Sequence, residues 1–324
     1  MAFLFLRLFK KFPNQDILDI SEFLGGKFLK VIVGMLFFIF FIGGSSIILR
    51  TFADSLRLTY FDNFATPTIL LFILIAVAAA NLIQPKAIIK CNFIITPLMM
   101  ISLLIPLLSA TPSFAVQRIF PLFGYGLEET FLSGATNIFA FCGLSVLFFL
   151  PPLLKNQKDL KKVTIWSAVI TGFFLLVSVG SLLLSLPFVF DTEELSPIFL
   201  LIRSFDLGNF FQRPEAIFTL IWILAMISYV SVFVMFSLFI LKKLLNLSNP
   251  QGLSFCITSF IFILAVIPQN MAKVDFLEST VYKYYTLGVS FFLPFLILIL
   301  SSIKKKRQDS QKPMIKGSEA YEKT

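Results

Sequence analysis

The chain has 324 residues, of which 57% are hydrophobic and only 14% charged, with 27 Lys+Arg, 18 Asp+Glu, 42 Phe and no His. A globular domain carries about 25% charged residues. This composition excludes a disordered chain, a disulfide-stapled secreted domain and an ordinary cytosolic enzyme. Charge-free runs cover 31–49, 63–85, 91–117, 130–154, 163–190, 216–241, 244–272 and 284–303, each 19 to 29 residues long, while the next longest, 119–127, has nine. A membrane-spanning helix needs about 20 apolar residues. The pattern therefore predicts an all-α polytopic membrane protein with eight complete spans.

In chain order, residues 1–9 (MAFLFLRLF) are too short to span and read as the last turns of a helix. Pro13-Asn14 then breaks the chain, and an amphipathic helix runs to Gly25-Gly26. The first span, about 29–49, carries Gly43, Gly44, Ser45 and Ser46 in its outer half. Small residues there suit either tight helix crossing or the wall of a ligand site. Spans at about 67–84 and 88–109 contain Asn81, read as interhelical glue, and Thr96-Pro97, read as a kink. In the fourth, 131–151, Gly134 and Gly143 bracket Thr136 and Asn137. Glycines flanking an Asn suit an unwound segment whose backbone meets a ligand, and they equally suit close packing with Asn137 bonding a neighbouring helix.

The fifth span, 163–187, leads into a long outer segment, 188–215, which contains Pro197 and an amphipathic stretch read as a surface-lying helix or a lid. The sixth, 214–240, holds Ser228, Tyr229 and Ser231 at mid-depth, of which at most two can face one cavity. Spans at 252–269 and 281–303 complete a single transmembrane domain, 1–303, and a basic tail follows over 304–324.

Eight spans place both ends on one side of the membrane. The segments on that side hold 20 Lys+Arg and the opposite ones seven, which predicts cytoplasmic termini. The net charge of +9 is thereby a topology signal. Nucleic-acid binding has no support, because the basic residues are spread over loops instead of gathered on one face. Catalytic chemistry lacks its usual players: there is no His, no paired intramembrane carboxylates, no phosphate loop and no C-x-x-C, and Cys91, Cys142 and Cys256 lie in apolar surroundings. No metal or cofactor is expected.

The stretch from Arg7 to Gly26, with its basic pair, Phe-Pro-Asn-Gln and glycine-bounded helix, resembles the spore permease family, the B subunits of nutrient germinant receptors. LRTFADSL at 49–56 extends the likeness, as does 201–224, where Arg213, Glu215 and Trp222 fall on a recurring Arg-x-Glu…Trp-Ile-Leu pattern. The resemblance implies a ten-helix, inverted-repeat bundle of the amino-acid/polyamine/organocation superfamily, like the leucine transporter, with the ligand between broken first and sixth helices. Against that pattern the chain is expected to lack the first helix and most of the second, through a wrong start, a truncated gene or natural variation. The resemblance further implies a receptor subunit in the spore inner membrane. It would assemble with A and C subunits, sense a small nutrient such as an amino acid, and trigger germination. An amino-acid transporter of the same superfamily and a non-binding assembly element are the alternatives. The candidate ligand residues are Gly43, Gly44, Ser45, Gly134, Thr136, Asn137, Ser228 and Tyr229.

Overall fold

The computed structural model describes residues 2–83, 85–120, 126–154, 156–185 and 214–321. Helix α1, Ala2–Phe9, ends at a turn in which Asn14 adopts a left-handed φ of 59°. Such a conformation is costly for most side chains but accessible to Asn. Asp16 then starts α2, Ile17–Thr59. Its Oδ1 accepts from the backbone N–H groups of Leu18 and Asp19, both at 3.0 Å, while its own N–H donates to Asp19 Oδ2 at 3.2 Å. This reciprocal cap satisfies donors that a helix start otherwise leaves open.

Helix α2 is interrupted at Gly25-Gly26, where Gly26 takes φ 72° and ψ −167°, a conformation essentially confined to glycine. Beyond it, α2 carries the first apolar run and continues ten residues past its last uncharged position, to Thr59. The following helices are α3 (Thr66–Leu82), α4 (Pro85–Ser109, with Pro97 and Pro106 inside), and α5 (Leu127–Thr136), which passes directly into a 3-10 helix over Asn137–Phe149. Then come α6 (Gln157–Ser185), α7 (Pro214–Leu245) and α8 (Ser254–Val266). A final helical run contains α9 (Met271–Phe276), α10 (Lys283–Thr286) and α11 (Leu293–Tyr321), joined by π-helical turns at Leu277–Tyr282 and Leu287–Phe292.

Among the described residues six helices are long and apolar enough to cross a membrane, and Thr66–Leu82 and Gln251–Val266 are shorter apolar ones. Their outer faces carry exposed Phe93, Leu176 and Phe292, as a surface bathed by lipid requires and water would penalise. The chain is an all-α, multi-pass membrane protein.

The chain divides into two compact units. The first comprises 1–38, 138–170 and 284–324, and its core is aromatic. Phe148 meets Phe5 at 5.3 Å, Phe37 at 6.3 Å and Phe295 at 6.4 Å between ring centroids, while Phe37 sits edge-on to Phe149. Two lysines of the basic tail also belong to this unit. Lys304 Nζ donates to the carbonyls of Phe23 (2.7 Å) and Leu24 (3.0 Å), the last before the glycine break, and lies over the Phe23 ring. Lys305 donates to the Lys11 carbonyl and covers the Phe12 ring. A cation at the C-terminal end of a helix satisfies its orphan carbonyls and complements its dipole.

The second unit comprises 39–137 and 171–283. In it α3 packs between α7 and α8, and α4 packs on α7. Polar side chains tie these helices together: Ser254 Oγ donates to the Ala78 carbonyl at 3.1 Å, and Ser228 Oγ to Asn92 Oδ1 at 2.6 Å.

Candidate functional site

In the first unit, the 3-10 run lines an apolar cavity of about 290 Å³ with Phe5, Phe141, Ser145, Phe148, Thr164 and Ser290 among its walls. Thirteen residues of 3-10 helix are unusual, since runs longer than three or four are uncommon and mid-helix stretches mark hinges or strain. Ser145 is spoken for, its hydroxyl donating to the Cys142 carbonyl. Thr164 and Ser290, each 2% exposed, have buried hydroxyl oxygens with no partner among the described residues. A buried hydroxyl without a hydrogen bond costs about 1–3 kcal/mol, so each is an open valence for a small polar group held in apolar surroundings.

The sequence candidates lie elsewhere, and neither this cavity nor the one below counts any of the eight among its lining residues. Gly44 and Tyr229 come together in the second unit around Phe233, and Gly43 faces the Tyr282 ring. Tyr229 lies 4.4 Å from Phe233, which in turn contacts Phe40 and Phe41. The Tyr282 hydroxyl donates to the Phe40 carbonyl at 2.9 Å, and its ring crosses the helix where Gly44 offers no side chain. A methyl added at Gly44 would overlap that hydroxyl and stand 3.0 Å from Cζ, whereas one at Gly43 would sit at an ordinary 3.5 Å. Ser45 is fully buried and bonds back to the Phe41 carbonyl at 2.7 Å.

Gly134, Thr136 and Asn137 stand at the point where α5 gives way to the 3-10 helix. Gly134 and Gly143 have open space around them, so neither glycine serves close packing among the described residues. Asn137 is exposed and accepts from Lys283 Nζ at 3.1 Å. Ser228 is occupied by Asn92. Of the family-pattern residues, Trp222 packs on Phe218 at 5.0 Å between centroids. Glu215 lies in the first turn of α7, and Pro13-Asn14 form the turn before α2. Arg213 and most of the 188–215 segment fall outside the described residues.

The charge-free run that marks the first span ends at residue 49, just before Arg50 and Asp54. The structure places them on α2, 8% and 5% exposed, as an ion pair of 2.7 Å between Arg50 Nε and Asp54 Oδ2. Arg50 Nη1 also donates to the Ala265 carbonyl at 2.8 Å, and Thr66 Oγ1 donates to Asp54 Oδ1 at 2.7 Å, so α2, α3 and α8 meet on one buried pair. The pair borders a second cavity, of about 430 Å³. The signal was present in the sequence: oppositely charged residues at i and i+4 share one helix face.

A multi-pass helical membrane protein with a long 3-10 run beside an apolar cavity is the class that fold and site define. Comparison with known proteins narrows this. The model of the spore permease family, described as spore germination proteins, matches residues 1–274. The chain belongs to this family. It is also similar to spore germination protein B2 of Bacillus subtilis (strain 168), with 23% identity over 317 residues, covering 94% of this chain and 83% of the relative.

Proposed function

We propose that the chain is the membrane-embedded sensing subunit of a nutrient germinant receptor, binding a small molecule, an amino acid first among candidates, beside the 3-10 run Asn137–Phe149. Assembly with A and C subunits in the spore inner membrane, both termini facing the cytoplasm, belongs to the same proposal. The family match supports the receptor class. The observation that carries the site is the 3-10 run, with two unused buried hydroxyls facing its cavity.

A 3-10 helix rises about 2.0 Å per residue and an α-helix 1.5 Å. Conversion of the 13-residue run would therefore change its length by roughly 6 Å. A ligand that bound one form in preference to the other would shift the population between them, and that shift is the signal. Filling the cavity tests the reading. Ser145→Leu, expressed at normal level in spores, is expected to move the nutrient dose-response by about tenfold or more. An unchanged dose-response would overturn the site. Labelled amino-acid uptake into vesicles with no effect on germination would replace the receptor with a transporter.

A further inference from the structure

We infer that the second unit carries a separate binding site for a small carboxylate, in the cavity of about 430 Å³ bordered by Arg50, Asp54, Arg57, Thr66, Gln269 and Asn270. Its volume lies within the range of about 300–1,000 Å³ usual for small-molecule sites. The inference rests on which polar groups there are already engaged.

Both oxygens of Asp54 are taken, one by Arg50 Nε at 2.7 Å and one by Thr66 Oγ1 at 2.7 Å. Arg50 is taken on its other side by the Ala265 carbonyl. The Gln269 side-chain oxygen accepts from Lys273 Nζ at 2.7 Å, and the Asn270 oxygen caps α9 by accepting from the Lys273 backbone N–H at 3.0 Å. Arg57 differs from all of these. Its Nε is buried and has no hydrogen-bond partner among the described residues, and it takes part in no ion pair there.

What the cavity offers is therefore donors: the Arg57 guanidinium and the side-chain amide N–H groups of Gln269 and Asn270. Its charge balance points the same way. Two guanidiniums face one carboxylate, which is already paired, so one positive charge is left over. A planar guanidinium with free N–H groups matches a carboxylate in a fork, while a cation would meet repulsion and no free anionic acceptor. Leu58, Val266 and Met271 supply apolar wall, which suits a short aliphatic body behind the carboxylate. The inference stands on its own residues and does not depend on the cavity beside the 3-10 run.

The test is calorimetric titration of the full-length protein in lipid nanodiscs with three probes: acetate, L-alanine and L-alaninamide, which keeps the ammonium but lacks the carboxylate. Acetate and L-alanine are expected to bind and L-alaninamide is not. Arg57→Met should weaken both by about ten- to hundredfold, the loss of a charge-assisted hydrogen bond, and Arg57→Lys by less. Because Arg57 Nε has no hydrogen-bond partner among the described residues, the thermal midpoint of the ligand-free variant should match wild type. Arg57→Gln serves where the Met variant fails to fold. Ser145→Leu should leave acetate binding intact. The inference is overturned if wild type binds neither carboxylate, if L-alaninamide binds equally well, or if every folded Arg57 variant binds as wild type does. It is equally overturned if Ser145→Leu abolishes acetate binding, which would place the carboxylate in the other cavity.

Discussion

Replacing Asp54 with Ala should damage the second unit more than almost any other single polar change. The substitution removes the carboxylate that holds Arg50 Nε at 2.7 Å and Thr66 Oγ1 at 2.7 Å, leaving a guanidinium only 8% exposed with one remaining bond, to the Ala265 carbonyl. Unit charges about 4 Å apart interact by about 4 kcal/mol at an effective dielectric of 20. Breaking buried pairs by removing one partner costs about 3–5 kcal/mol for the same reason, because the survivor stays buried and uncompensated. Asp54→Ala should therefore lower stability by about 3–5 kcal/mol, measured by reversible unfolding in mixed micelles. Removing both charges with Arg50→Met/Asp54→Leu should recover most of that loss, since a well-packed apolar pair is often as stable as a buried ion pair. The coupling energy of the cycle should then exceed about 2 kcal/mol. A loss below about 1 kcal/mol for Asp54→Ala, or additive single effects in the cycle, would refute the claim that the pair is buried and mutually dependent.

The tyrosine crossing at Gly44 and the tail lysines give two further tests. Gly44→Ala should cost about 1–3 kcal/mol by overpacking against Tyr282. Gly43→Ala should be nearly neutral in the same unfolding assay, and Tyr282→Phe should relieve part of the Gly44→Ala loss by removing the overlapped hydroxyl. Lys304→Met should release the Phe23 and Leu24 carbonyls at a cost of about 1 kcal/mol. Limited trypsin digestion should then cut faster at Lys27, just past the glycine break, and an unchanged cleavage rate would show that the lysine does not hold that helix end.

The membrane class of this chain was legible because charge is excluded from lipid, so gaps between charges measure where lipid lies. The same criterion hid the ion pair. It takes a charge as the end of a span, whereas Arg50 and Asp54 continue α2 and satisfy one another inside protein. A paired charge is compatible with burial and an unpaired one is not, so run length alone cannot separate a loop from a helix end packed against its neighbours. The i, i+4 spacing could have done so, and the Thr51, Ser55 and Thr59 hydroxyls, each bonded to the carbonyl four residues back, repeat it along α2.

Gly134 and Gly143 pointed to an irregular segment for a sound reason, the low helix propensity of glycine. They could not reveal that the irregularity is a 3-10 run, nor that Thr164 and Ser290, on distant segments, face its cavity. Tail lysines that signal topology and lysines that cap a helix are identical as sequence, and only the approach of Lys304 to Phe23 and Leu24 distinguishes them. What sequence lacked in each case was the partner. Arg57 is the inverse case: a charge whose partner is absent from the described residues, bordering a cavity whose other polar groups are engaged or are themselves donors. A position next to such a cavity is where an external carboxylate gains most, because it meets a charge that the fold has not already neutralised.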